Sequence, residues 1–118
     1  MAQFDFVSTE AVGELYRSGQ DGNRITALGL MSGNPRLVSV AIVTEVIRRP
    51  RSSFEQWHAL RICLDLVRGA GRSAEHDAIR EAISVARANG SIGGGNDQSR
   101  IRLAQRVEDA MDGEGHPA

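Results

Sequence analysis

Residues 37–47, Leu-Val-Ser-Val-Ala-Ile-Val-Thr-Glu-Val-Ile, leave almost no polar face. A segment of this kind needs cover on several sides, as a central strand or a central helix. Its β-branched residues favour a strand. Its length and its opening at Asn34-Pro35 favour a helix, because proline at the first helical position loses nothing by lacking an N–H. The helix reading is the one that the rest of the chain supports. At 118 residues the chain amounts to one domain, long enough to bury roughly two thirds of its unfolded surface.

The punctuation marks out about six short antiparallel helices, an all-α domain over residues 1–112 followed by a flexible acidic tail at 113–118. Ser8 caps the first, near 9–18, with Val7 stapled to Val12 and Gly19 as the stop. The second runs near 22–32, from Asp21 as cap to Gly33 as left-handed terminator. The third runs from Asn34-Pro35 to about Arg49, before Pro50. The fourth opens on a capping box, Ser52 with Glu55, and ends at Gly69. The fifth spans Ser73 to about Asn89, before Gly90. The sixth spans Asn96 to about Asp112, before Gly113. Short connections make consecutive helices antiparallel neighbours.

The fourth helix carries two apolar stripes: Trp57, Leu60, Leu64 and Val67, then Ala59, Ile62, Cys63 and Leu66. The fifth turns Ala78, Ile79, Ala82, Ile83 and Ala86 inward and Glu75, Arg80, Glu81 and Arg87 outward. The sixth buries Ile101, Ala104, Val107 and Met111. Weak internal repetition sets Glu45-Val46-Ile47 over Glu81-Ala82-Ile83, and Ala27-Leu28 over Ala59-Leu60. This makes helices 2–3 and 4–5 two comparable pairs.

All fourteen basic residues are arginine, and every one but Arg17 lies in residues 24–106. Asp5, Glu10, Glu14 and Asp21 make the first segment acidic. Glu108, Asp109, Asp112 and Glu114 do the same for the last. A basic middle suits an acidic partner surface or a nucleic acid. The net charge of −1 is ordinary for a folded chain. A lone cysteine excludes an internal disulfide framework and a thiolate zinc site. No apolar run is long enough for a membrane span. The start of the chain shows no leader pattern, so a cytoplasmic protein is expected.

The chemistry-bearing residues point away from catalysis. Cys63 lies mid-helix within an apolar stripe, with His58 on another face, so a buried structural thiol is expected. Glu75-His76-Asp77 point in successive directions around a helix and cannot chelate one ion. The glycine loop Gly90 to Asn96 lacks a preceding strand and a Gly-Lys-Ser/Thr end, which leaves a flexible connection. The Gly33-Asn34-Pro35 turn has about the length of a helix-turn-helix, but the following helix has no polar face to read bases. No catalytic, metal or cofactor residue is therefore assigned. Arg48, Arg49 and Arg51 gather beside Phe54, Trp57 and His58. Arginine with aromatics is the composition of a protein-binding hot spot, or of a single-stranded nucleic-acid platform.

Ala27-Leu28-Gly29-Leu30, Gly33-Asn34-Pro35, Arg36-Leu37-Val38 and Ala41 together resemble one HEAT-type repeat over about residues 24–47. The resemblance implies helix pairs with Gly29 at a close helix contact and Gly33 as a left-handed terminator. The next unit departs from it: Arg68-Gly69-Ala70-Gly71-Arg72-Ser73 replaces the Gly-Asp-Pro turn, and Val38 stands where the family has arginine. By helix count alone the chain also resembles the death-fold superfamily, which implies self-association into a homo-oligomer. Residues 49–60 are similar to helical segments of actinobacterial signalling or conflict proteins. The expected function is therefore a non-catalytic interaction or adaptor module, serving a signalling or defence effector of a bacterium. A self-associating adaptor, or a nucleic-acid domain using Arg48 to Arg51, is the alternative.

Overall fold

The computed structural model describes residues 9–69, 75–92 and 98–114. Among them the chain forms α1 (Thr9–Arg17), α2 (Asp21–Gly33), α3 (Val40–Arg48), α4 (Ser53–Arg68), α5 (His76–Ala88) and α6 (Gln98–Glu114), with a 3-10 turn at Pro35–Leu37 and no strand. The β-branched run is thus helical. α3 buries Ile42, Val43, Thr44, Val46 and Ile47, and it is covered by α4 and α5. Thr44 is tolerated there because its hydroxyl donates to the Val40 carbonyl at 2.7 Å.

Several helix ends differ from the sequence expectation. Pro35 opens a separate 3-10 turn rather than α3, which starts at Val40 with Ser39 as its cap; the Ser39 hydroxyl accepts from the Ile42 N–H at 3.3 Å. Asp21 is the first residue of α2 and not its cap, because its carboxylate is taken by Arg51 at 2.9 Å. Gly33 is the last helical residue, and only Gly19 and Gly90 have positive φ among the described residues. The end of α2 is closed instead by Asn34, whose side-chain amide donates to the Leu30 carbonyl at 2.9 Å. Gly29 faces open space and makes no close helix contact. α6 runs on to Glu114, past Gly113. Ala78 is exposed rather than inward, whereas Leu103 is buried. The expected caps Ser8, Ser73 and Asn96, the Val7 staple and most of the glycine loop lie outside the described residues.

The fourth-helix forecast holds on both stripes. Ala59, Leu60, Ile62, Cys63, Leu64, Leu66 and Val67 are all buried, because α4 packs against α2, α3 and α6 at once. Consecutive helices pack closely as α1/α2 and α3/α4, but α2 meets the following segment through the 3-10 turn instead of α3. The two most extensive contacts skip one helix, α4 with α6 and α3 with α5, and α2 packs on α4 in the same way but less extensively.

Side-chain bonds give the directions. Arg24 meets Glu55 near the starts of α2 and α4, while Met31 and Ser32 line one hollow with Ile62, Asp65 and Leu66 toward their ends. Those two helices therefore run parallel. Arg80 pairs with Asp112 and Arg87 with Glu108, so α5 and α6 are antiparallel. The extents of 42 × 36 × 19 Å fit two layers of helices, each about 10 Å across. One layer holds α2, α4 and α6, and the other is built on α3 and α5. Of the residues aligned by internal repetition, Ala27 with Ala59, Leu28 with Leu60, Val46 with Ala82 and Ile47 with Ile83 are buried in the shared core, whereas Glu45 is half-buried and Glu81 exposed.

Candidate functional site

One edge of the slab collects the start of α2, α4 and α6 with the end of α1, α3 and α5. It is tied together by polar side chains. Arg24 donates to both Glu55 carboxylate oxygens, at 2.9 and 2.8 Å, and stacks over the Tyr16 ring at 4.5 Å. The Arg51 N–H adds a third bond to Glu55 at 3.1 Å. Burial would raise the Glu55 carboxyl, but the Arg24 and Arg51 hydrogen bonds outweigh it and hold it below the usual carboxylate range. Arg24 rises in turn, chiefly through Glu55. The Tyr16 hydroxyl is raised by burial, with Arg24 opposing. The capping box is thus only half made: Ser52 accepts from the Glu55 N–H at 3.2 Å, while the Glu55 carboxylate serves Arg24 and Arg51.

The neighbouring residue ties the next turn. Gln56, fully buried, donates to the Ile47 carbonyl at 2.9 Å and to the Ser91 hydroxyl at 3.1 Å. Its amide oxygen accepts from Arg100 at 2.7 Å. Arg51 donates to the Gly19 carbonyl and to Asp21. The α1–α2, α3–α4 and α5–α6 connections are therefore joined in sequence along this edge.

The six residues picked from sequence divide into two groups. Arg48 pairs with Glu45 and Glu81, at 3.3 and 3.2 Å, and its carbonyl accepts from Asn89 at 3.0 Å. Arg51 is engaged as described. Both act within the fold, whereas Arg49 is exposed. Phe54, Trp57 and His58 do come together: His58 lies 4.3 Å from the Phe54 ring and 5.2 Å from Trp57, edge-on. Trp57 is half-buried against the core, which braces the trio. Phe54 is 52% exposed.

Ile25 is the residue that sequence reasoning missed. It and Phe54 are the exposed large hydrophobics of the described residues. Arg24 and Glu55 face each other across parallel helices. The residue after one and the residue before the other then turn to the same side, since each step is about 100° in opposite senses from the contact. The signal in sequence is that Ile25 falls off the Ala27, Leu28 and Met31 stripe. Farther along the α2–α4 seam lies an apolar hollow of about 40 Å³, lined by Met31, Ser32, Val38, Ile62, Asp65 and Leu66. It has room for about one water or a methyl group.

Cys63 is fully buried, and burial, with a small contribution from Glu75, pushes its thiol up to about 12. It is expected to resist a disulfide thiol reagent at pH 8 in the folded protein and to react at once in urea. Fast reaction of the native state would show that α4 opens readily. Glu75 precedes α5, and His76 and Asp77 start it. Among the described residues no three His, Cys, Asp or Glu side chains are placed to hold a metal, and no helix is long and apolar enough to cross a membrane. Compared with protein-family models, with curated proteins and with solved structures, the chain matches none.

Proposed function

We propose that the chain is a small non-catalytic interaction module that docks a partner protein through the first turns of α4. The observation that carries this reading is the exposed Phe54 ring tilted against His58, itself set edge-on against the half-buried Trp57. An aromatic held in place before binding loses little conformational entropy when a partner covers it. Ile25 extends the apolar patch, and Arg49 is an exposed cation in the α3–α4 connection that leads into α4. Stacking of helices with their second neighbours supports a repeat-like scaffold in the manner of the HEAT-type resemblance. A cytoplasmic bacterial adaptor for a signalling or defence effector fits this reading. Consumption of Arg48 and Arg51 in ion pairs weighs against the nucleic-acid alternative, because little free charge remains beside the aromatics.

The test places a photo-crosslinking amino acid at position 54 in the native host and identifies what it captures. The captured protein is then purified and its affinity measured for the wild type and for Phe54→Glu. A loss of at least about 30-fold, roughly 2 kcal/mol, is expected at a hot-spot aromatic. Equal affinity for both proteins overturns this reading. Circular dichroism should be unchanged, since position 54 is exposed.

A further inference from the structure

We infer that this chain self-associates head to tail, the acidic α1 face of one copy docking on the arginine face of α6 in the next. Most charged residues of the two layers find an intramolecular partner, from Arg24–Glu55 to Arg87–Glu108. Two pairs do not. Glu10 and Glu14 stand exposed one turn apart on α1, and Arg102 and Arg106 stand exposed one turn apart on α6. None of the four makes an ion pair among the described residues. The Arg17 guanidinium packs back toward Gly13 instead of pairing with either acid, and Asp109 accepts from Gln105.

Like charges at this spacing repel within their own helix. Each pair is therefore a small cost to its helix that a complementary surface removes. The spacings match, since both pairs sit about 6 Å apart on a helix. Their positions match as well. α1 packs on α2 at one end of the helix order, and α6 lies beyond α4 at the other. Contact between the two ends of different copies leaves a free acidic end and a free basic end on every pair. The interface is heterologous and the assembly extends as an open chain. It uses neither Phe54 nor Ile25, so it stands or falls apart from the docking face on α4.

Sedimentation velocity of the whole chain at about 20 mM and about 500 mM salt tests it. The expected result is a weight-average mass that rises with concentration at low salt and returns to the monomer at high salt. Arg102→Glu/Arg106→Glu and Glu10→Arg/Glu14→Arg should each be monomeric, and an equimolar mixture of the two should associate again, because each restores the charge that the other lost. Should either reversal unfold the protein by circular dichroism, the neutral changes Arg102→Gln/Arg106→Gln and Glu10→Gln/Glu14→Gln replace it, with a weakening of about tenfold. A wild type that stays monomeric to about 1 mM, association indifferent to the changes, or a mixture of folded reversal variants that stays monomeric overturns the inference.

Discussion

Glu55→Ala is expected to destabilise the protein by about 3–5 kcal/mol, the range for stripping one partner from a buried ion pair. The Arg24 side chain is only 9% exposed and that of Glu55 only 2%. The guanidinium cannot shed its charge, so without Glu55 it remains desolvated with only the Tyr16 ring beside it. Urea unfolding measures the loss. The double change Arg24→Met/Glu55→Leu should recover most of it, because two apolar groups of similar volume remove the charge together with its counter-charge. A cost below about 1 kcal/mol for Glu55→Ala would mean that water reaches the pair and that the edge is not sealed.

The same pair fixes a pH dependence. The folded carboxyl of Glu55 titrates below its unfolded value, so its contribution to stability is complete above that unfolded value, near pH 4.5. It is lost as the pH falls through the folded value. Stability of the wild type should therefore drop on acidification below about pH 4.5 more steeply than that of Arg24→Met/Glu55→Leu.

Gln56→Leu is the second large expected effect, a loss of about 1–3 kcal/mol despite a gain in apolar character. The amide bonds three separate chain passages at once: the end of α3, the turn at Ser91 and the start of α6. Leucine would leave the Ile47 carbonyl without its amide partner and take from Arg100 one of its acceptors. Arg100 keeps the Ser91 carbonyl at 2.8 Å, which limits the damage. Amide hydrogen exchange should speed up selectively at Ser91, Ile92 and the first turn of α6. Uniform acceleration across all helices would instead mark a general loss of stability.

Helix existence and the apolar stripes were legible in the sequence because they are local. Ser52 caps as its position relative to Glu55 predicts, and Gly19 and Gly90 take the left-handed conformation that stops a helix. The start of α3 was misplaced because Asn-Pro is an equally good local signal for a 3-10 turn; only the burial of Val38 and the cap at Ser39 decide the matter. The packing of helices with their second neighbours is a long-range property that turn lengths do not encode.

Three buried polar residues were missed for a different reason. Polar side chains default to the surface, yet each of these lies in line with an apolar stripe. Glu55 precedes Ala59, Ile62 and Leu66; Gln56 precedes Leu60, Cys63 and Val67; Arg24 precedes Leu28 and Met31. A polar residue one turn upstream of such a stripe is readable as a capped end of the core. Among the candidate site residues, the aromatic trio was legible from its helical spacing. The diversion of Arg51 into the fold was not, because its acidic partner Asp21 lies 30 residues away. For Arg48 the pairing with Glu45 is local, but that with Glu81 spans a similar distance in sequence.

The row of bonds through Arg51, Glu55, Gln56 and Ser91 has a mechanical consequence. It binds the three helical hairpins along one margin like the spine of a booklet, while the passage from α2 to α3 crosses the far margin, where α4 ends and α5 begins. Prising the leaves apart from the far margin leaves those bonds for last. Extra chain spliced into the α2–α3 crossing should lengthen a fold of the paper without loosening the binding.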